Sequence, residues 1–288
     1  MPTLPRNRKF RTWKTLPSDL RSALQFNVPC NQHNASPMMT PESMKTDIPS
    51  LNRLREATAR KGVAAFRVGI VVGPGYFPLD MVGVQAVLGT MPGAEIYLVW
   101  KSREPVEGFR NWWTIPTATF SDCPDLDVVA VPMMPPEVQN DREVVNFVAT
   151  RGRTARYVIG VCNGVLTLGA AGLLRGKRAT VSHNSHSILP LYGVTEVVVD
   201  QGVVADGNVY TAGPGVGSFE AALLVAEQAF GRPVAQLAEF LIEYNPHPPF
   251  GTGTAAGAGP TLVAKFEGMM ADMISLYRSE ALKVAAGA

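Results

Sequence analysis

The chain has 288 residues, of which 46% are hydrophobic and 17% charged, so it holds enough apolar material for one large globular domain. The formal net charge is only +2, but residues 1–65 hold 11 Lys and Arg against 4 Asp and Glu, whereas residues 66–288 hold 15 against 20. Because the basic excess belongs to the leading segment, the mildly acidic remainder is a poor match for a nucleic-acid-binding surface.

Neither the apolar runs nor the cysteines indicate a membrane or secreted protein. No run of 18 apolar residues occurs, so the sequence predicts no transmembrane helix. The three cysteines are widely spaced and form no CxxC pair, which fits a reducing, cytoplasmic compartment better than a disulfide framework.

Residues 1–65 are interrupted by prolines and show little apolar periodicity, which predicts a disordered or loosely attached extension. We expect at most one short helix there, over Ile48–Arg60, with Ser50 as a candidate cap. A solvated tail is the simplest interpretation of this extension. An anionic partner and an organelle-targeting leader are the functional alternatives.

From residue 66 onward, predicted strands alternate with predicted helices. Strands are predicted at Val68–Val72, Ala94–Trp100, Leu126–Val131 and Tyr157–Val161. Val68–Val72 and Tyr157–Val161 are continuous apolar runs, which are typical of central parallel strands. Helical patterns lie at Met81–Gly89, Glu137–Arg151, Ser185–Leu191, Ser218–Phe230, Pro233–Tyr244 and Leu262–Ala286. Since no internal repeat interrupts this alternation, the sequence predicts an α/β fold with a mainly parallel sheet and helices on both faces.

Three loops should meet at one edge of that sheet. Ligands of open α/β sheets bind outside the carboxyl ends of the strands. The loops Gly73–Asp80, Pro132–Pro136 and Cys162–Asn163 each follow a predicted central strand. They are far apart in the sequence, but the predicted topology brings them together.

Cys162 directly follows the strand Tyr157–Val161 and precedes Asn163, Gly164 and a helix of small residues that ends near Leu174. A nucleophile at a sharp turn from strand to helix is the arrangement called a nucleophile elbow. The free amides and the dipole at the start of the helix favour a thiolate. A buried structural cysteine is the alternative interpretation.

A cysteine nucleophile needs a base or a lowered pKa. His183 and His186 follow the next short strand and are candidates for a Cys-His-acid triad, with a polar surface loop as the alternative. Asp80 is either a helix N-cap or a buried carboxyl that holds a proton for the reaction. No third ligand of suitable spacing accompanies the histidines, so we expect no metal site.

Five segments of the chain resemble the ThiJ/PfpI superfamily, which is related to class I glutamine amidotransferases. They are Val68–Asp80, Leu126–Pro132, Gly160–Leu174, Gly176–Thr180 and Gly213–Leu223. The resemblance covers residues 66–250 and implies a single flavodoxin-like domain, with a mostly parallel sheet sandwiched between helices. The extension 1–65 and the segment 251–288, a Gly-rich loop and a C-terminal helix, lie outside it.

Within the superfamily, the chain is most similar to isonitrile (cyclohexyl-isocyanide) hydratases. The resemblance is carried by Cys162 in Val-Cys-Asn-Gly, by Asp80 in Pro-Leu-Asp and by the segment 243–250. It implies a small-molecule substrate, R–N≡C, attacked by Cys162, with Asp80 as general acid and base. The resulting thioimidate would hydrolyse to an N-substituted formamide. The resemblance implies no cofactor, and it implies a homodimer.

The resemblance also implies which residues surround the two catalytic side chains. Met133 and Met134 stand where the superfamily usually has glycines, and their amides are candidate oxyanion donors. The expected pocket or oxyanion residues are Asn163, Gly164, Met133, Met134, Gly75 and His183.

Other members of the superfamily fit less well. The glyoxalase or deglycase branch has Glu at the place of Asp80 and often His after the cysteine, and an amidotransferase needs a downstream His-x-Glu pair. A transcription regulator needs two helices of a DNA reader, which the segment after residue 250 does not supply. Another cysteine-dependent hydrolase or lyase, and a non-catalytic redox- or ligand-sensing module, stay as alternatives.

Overall fold

The computed structural model describes residues 48–50, 53, 62–199 and 201–287, which lie within one compact unit, Asp47–Ala288. Most of the extension 1–65, and most of the helix expected over Ile48–Arg60, therefore lie outside the described residues. The boundary of the extension at residue 65 stays a prediction.

Strands form the centre of the described chain. They are β1 (Phe66–Val71), β2 (Ala94–Trp100), β3 (Val106–Gly108), β4 (Trp112–Thr114), β5 (Ala118–Thr119), β6 (Val128–Val131), β7 (Tyr157–Val161), β8 (Arg178–Ala179), β9 (Glu196–Val197), β10 (Val203–Asp206) and β11 (Val209–Ala212). Seven of them form one sheet in the order β10-β11-β7-β6-β1-β2-β5. All neighbours in this sheet are parallel except β10 and β11.

The order of the long parallel strands, β2-β1-β6-β7-β11, is the 2-1-3-4-5 order of flavodoxin-like folds. Strands β6 and β7 are buried along their whole length, as continuous apolar runs require. In β1, Val68 pairs with Ile96 of β2 on one side and with Val128 of β6 on the other. The predicted fold class is confirmed.

Helices flank the sheet. They are α1 (Pro78–Leu88), α2 (Pro136–Gln139), α3 (Arg142–Thr154), α4 (Gly164–Ala170), a 3-10 helix (His183–Tyr192), α5 (Gly217–Phe230), α6 (Arg232–Leu241) and α7 (Ala255–Gly287). Helix α1 packs against α5, and α3 packs against α4. In the part of the chain that the structure describes, no helix is long and apolar enough to cross a membrane.

One helix prediction was wrong, and another holds for most of the helix. The single helix expected over Glu137–Arg151 is divided into α2 and α3, because the side chain of Asp141 accepts the Glu143 and Val144 amides and starts a new helix. Helix α7 consists of two helical parts that meet at Gly259, whose non-helical φ of 73° is readily adopted only by glycine. The long part after Gly259 agrees with the helix predicted over Leu262–Ala286, and the short part before it was not predicted.

Candidate active site

The candidate site lies where the direction of the strand order changes, between β1 and β6, at the carboxyl ends of the parallel strands. Helix α1, which carries Asp80, follows β1; Met133 follows β6, and Cys162 follows β7. The backbone N–H of Met133 donates to Oδ2 of Asp80 at 2.9 Å. The charge of Asp80 in turn acts on the Cys162 thiol. The three predicted loops are therefore brought together.

Cys162 stands at a sharp turn between β7 and α4. Its φ of 54° lies in the left-handed region that non-glycine residues seldom adopt, which is typical of strained functional turns. Its N–H donates to the Ala212 carbonyl at 2.8 Å, which fixes the turn to the neighbouring strand β11. A Cβ at Gly164 would collide with the carbonyl oxygen of Val131, so only glycine permits this approach of α4 to β6. The predicted elbow geometry is present.

Asp80 is a buried carboxyl in the first turn of α1. The N-cap of this helix is Phe77, so Asp80 does not cap it. Its side chain is buried, with only 1% of the residue exposed, and Oδ1 has no hydrogen-bond partner among the described residues. Burial raises the pKa of Asp80 from 3.8 to about 7, against the opposing effect of the Met133 N–H. The carboxyl therefore exchanges its proton near neutral pH.

The Cys162 thiol holds its proton more strongly than the sequence suggests. Burial, and then the charge of Asp80, raise its pKa from 9.0 to about 12, while hydrogen bonds from the Asn163 backbone and the Ser182 side chain lower it. Part of the residue stays accessible, yet enough protein surrounds it for desolvation to dominate. The sequence predicts that the helix N-terminus favours a thiolate. The Asn163 backbone does lower the pKa of the thiol, but burial has the larger effect and raises it. Attack by this sulfur requires a base.

The two methionines after β6 contribute backbone groups to the site. The Met133 amide is occupied by Asp80, and its carbonyl accepts the Phe77 N–H at 2.9 Å. The side chain of Met134 is fully buried, and its sulfur lies beside Gly73, where a Cβ would come within 2.8 Å of it. Met134 thus packs in the core, and the Met133 amide serves Asp80 rather than an oxyanion.

Gly75 holds the loop after β1 in place. Its φ is 74°, and a Cβ would lie 2.6 Å from the Pro135 ring, so the loop can approach Pro135 only with glycine here. Its N–H donates to the Glu107 carbonyl at 2.8 Å. Because the Gly75 N–H already donates to Glu107, it is not free to donate to a bound substrate.

His183 lies close to the site, but its contacts run elsewhere. Its Nε2 is 3.7 Å from Oε1 of Glu267 in α7, and 41% of its side chain is exposed. The preceding residue, Ser182, hydrogen-bonds the thiol. Ser182, and not His183, is thus the neighbour whose side chain hydrogen-bonds the sulfur. A role for His183 in the pocket stays a prediction.

Comparison with known proteins agrees with this geometry. The DJ-1/PfpI family matches residues 66–228, more than half of the chain. The chain belongs to the DJ-1/PfpI family. It is 38% identical over 203 residues, 69% of this chain and 87% of the relative, to an isonitrile hydratase of Pseudomonas putida.

Solved structures of this family show the same fold. The chain is similar to a ThiJ/PfpI family protein from Pseudomonas syringae, with a TM-score of 0.72 and 29% identity over 85% of this chain and 99% of that one. At the level of fold alone, it is similar to DJ-1beta of Drosophila melanogaster, with a TM-score of 0.53 and 19% identity over 64% of this chain and 100% of that one. The predicted superfamily is confirmed.

One site residue comes from beyond the DJ-1/PfpI segment and was missed by sequence reasoning. Tyr277 of α7 is 2% exposed, and its hydroxyl donates to the Met134 carbonyl at 2.6 Å. Burial, followed by the charge of Cys162, raises the pKa of Tyr277, whereas a hydrogen bond with Asn163 lowers it. The sequence gives no local signal for this contact, because it joins residues 143 positions apart.

Asn163 contributes a buried side-chain amide to the site. Asn163 is 4% exposed, and its Oδ1 has no hydrogen-bond partner within the described residues. Over the same ranges, no group of three or more His, Cys, Asp or Glu side chains could hold a metal ion. The polar groups at the site are therefore a thiol, a carboxyl, an amide and two hydroxyls.

Proposed function

We propose that this protein is an isonitrile hydratase-like lyase, which adds water to R–N≡C and releases an N-substituted formamide. The observation that carries the proposal is the pairing of Cys162 at a strained elbow with Asp80, a buried carboxyl whose pKa is about 7. The 38% identity to an isonitrile hydratase supports the reaction class.

The first step uses the one proton that the pair carries near neutral pH. The thiol is protonated because its pKa is about 12, whereas much of Asp80 is ionised at and above pH 7. Asp80 accepts the thiol proton while the sulfur attacks the terminal carbon of the isonitrile. The carboxyl then delivers the same proton to that carbon. A C–S and a C–H bond form, the C≡N bond becomes C=N, and the product is the thioimidate R–N=CH–S–Cys162.

In the second step, water attacks the thioimidate carbon. Asp80 takes a proton from this water and passes it to the nitrogen, which gives a tetrahedral adduct. The adduct then expels the Cys162 sulfur. Asp80 takes the hydroxyl proton of the adduct and transfers it to this sulfur, so R–NH–CHO leaves and the thiol is restored. Oδ1 of Asp80, which lacks a hydrogen-bond partner in the described part of the chain, is the oxygen available for these transfers.

The polar neighbours of the sulfur support the same chemistry. Hydrogen bonds from the Asn163 amide and from Ser182 stabilise negative charge on Cys162 when it leaves the adduct. A redox sensor is less well supported, because oxidation begins from the thiolate and the raised pKa of Cys162 keeps that form scarce. The homodimer and the cytoplasmic location remain predictions.

The test is the production of N-cyclohexylformamide from cyclohexyl isocyanide, which mass spectrometry detects. We expect wild-type turnover, with losses of at least about 1,000-fold in Cys162→Ala and about 100-fold in Asp80→Asn, since each removes a group that the chemistry requires. Cys123→Ala is the matched control, because Cys123 is a buried core cysteine. It should retain most of the activity.

The pH profile adds a second criterion. Since the carboxylate form of Asp80 is needed as base, kcat/KM should rise with pH through about 7 and stay level well beyond it. Absence of formamide from the folded wild-type protein would refute the proposal. Full activity in either Cys162→Ala or Asp80→Asn would refute the assigned role of that residue.

A further inference from the structure

Helix α7 lies against the candidate site. Most of its side chains are exposed, for example Met269 at 73%, but Tyr277 and Ala281, one turn apart, are buried. The helix packs on the 3-10 helix that follows Ser182, and it also contacts α2 and α4. Arg278 reinforces this packing, since its Nη1 reaches the Ser187 carbonyl at 3.4 Å. Helix α7 is therefore held on the elements that carry the site.

The hydroxyl of Tyr277 connects this helix to the general acid–base residue through a short backbone path. It donates to the Met134 carbonyl at 2.6 Å, and the N–H of the neighbouring Met133 donates to Asp80 Oδ2 at 2.9 Å. Pro132 and Pro135 flank the two methionines and restrict the backbone of the segment. A contact that fixes Met134 therefore also restrains Met133.

We propose that, for the reaction described above, Tyr277 is a positioning residue that holds the Met133–Met134 segment so that the Met133 N–H stays directed at the Asp80 carboxylate. The effect of Tyr277 on turnover rests on the proposed function. The hydrogen bonds that join Tyr277 to Met134 and Met133 to Asp80 do not depend on it.

This path matters because few groups in the described part of the chain act on Asp80. The Met133 N–H is the contact that lowers the pKa of Asp80, against the burial that raises it. Within the described ranges of the chain, the titratable groups that interact with Asp80 are Cys162 and Tyr277. Glu137 of α2 acts on Tyr277. A weaker Met133 hydrogen bond would therefore leave Asp80 with a higher pKa.

The other acidic groups near α1 are engaged elsewhere. On α5, which packs against α1, Glu220 accepts from the Tyr244 hydroxyl and Glu227 accepts from Arg232. Neither carboxylate is among the groups that shift the pKa of Asp80, which are its burial and the Met133 N–H. Removal of the Tyr277 hydroxyl should thus appear as a change in the pKa of Asp80.

The experiment compares wild type with Tyr277→Phe and with Tyr192→Phe as the matched control. The Phe variant keeps the buried ring and removes only the hydroxyl, so the fold should be preserved, which circular dichroism checks. Tyr192 is also buried, and its hydroxyl has no hydrogen-bond partner among the described residues. It lies outside the path to Asp80.

Two readouts follow the ionisation of Asp80 in each protein. One is the pH profile of kcat/KM with cyclohexyl isocyanide. The other, which needs no turnover, is the pH dependence of Cys162 alkylation by iodoacetamide, measured on the Cys162 peptide by mass spectrometry. Because the charge of Asp80 raises the pKa of the thiol, the alkylation curve should change slope at the pKa of Asp80.

We expect Tyr277→Phe to move both inflections to higher pH by about half a unit to one unit, the scale of one lost backbone hydrogen bond to a carboxylate. Tyr192→Phe should leave them in place. Inflections in Tyr277→Phe that coincide with wild type would overturn the proposal. If wild type makes no formamide, the reaction fails, but the alkylation curves still decide the role of Tyr277.

Discussion

Replacing Asp80 with Asn should make the stability of the protein less dependent on pH. The carboxyl ionises at about 7 in the folded chain and near 3.8 when exposed. Between these pH values the folded state keeps a proton that the unfolded state has lost. The free energy of unfolding of the wild type therefore falls, for this group, as the pH rises from about 4 to about 7.

The size of the effect follows from the two pKa values. The full difference corresponds to about 4 kcal/mol, because each unit is worth about 1.4 kcal/mol. Integrated between pH 5 and pH 8, it is roughly 2 to 3 kcal/mol. Since Asp80 is 1% exposed, solvent does little to weaken this contribution. The amide of Asn is neutral throughout, so the variant should gain this amount relative to wild type across the window.

Urea unfolding of both proteins at about pH 5 and about pH 8 measures the difference directly. The other titrating groups are shared by the two proteins. Cys162 and Tyr277, whose pKa values the charge of Asp80 raises, stay protonated over this pH range, so the comparison isolates Asp80. Asp272→Asn is the matched control, since Asp272 is exposed on α7 and its side chain makes no hydrogen bond or ion pair within the described residues. Its stability should stay close to that of wild type at both pH values. If the stability difference between Asp80→Asn and wild type does not change with pH, the carboxyl ionises as an exposed group and the reasoning about the site is wrong.

Two further predictions concern the fold around the site. Gly164→Ala should destabilise the protein by more than about 3 kcal/mol or prevent folding, because its Cβ would meet the backbone of β6. Gly268→Ala in exposed α7, where no atom lies within 4 Å of the new Cβ, should instead stabilise it by about 1 kcal/mol, and equal urea midpoints for the two would contradict the collision. Asp141→Ala should lose about 1 to 2 kcal/mol in urea unfolding, because it removes the α3 cap together with the ion pair to Lys101. Asp141→Asn loses the ion pair but keeps a capping oxygen, so it should lose clearly less. An Asn variant as unstable as the Ala variant would exclude the capping explanation.

The fold could be predicted because its central strands have an unambiguous pattern. Strands buried on both faces need continuous apolar runs, and the buried strand Tyr157–Val161 has the same bounds in the sequence prediction and in the structure. The bounds of Ala94–Trp100 also agree, although this strand is only partly buried. The junction of α2 and α3 was not predicted. Helical periodicity passes through Asn140, and only the hydrogen bonds of Asp141 show that a new helix begins there.

Local motifs predicted part of the site. Cys162 and Asp80 follow strands whose carboxyl ends must meet at one sheet edge, so the prediction needed only the topology. The contribution of Tyr277 depends on how a helix outside the family segment packs, which no spacing encodes. The ionisation of Cys162 could be predicted only in part. The helix N-terminus that favours a thiolate is visible in the sequence, whereas the burial that raises the pKa of the thiol arises only from tertiary packing.

The raised pKa values suit the proposed chemistry better than a preformed thiolate would. Addition to an isonitrile makes one C–S and one C–H bond at the same carbon, so it uses one sulfur lone pair and one proton. A pair with a thiol pKa of about 12 and a carboxyl pKa of about 7 holds one proton over a wide pH range and can move it between sulfur and carbon. A thiolate beside an ionised carboxylate would lack that proton. The desolvation that makes Cys162 a weak acid therefore also retains the proton that the reaction needs.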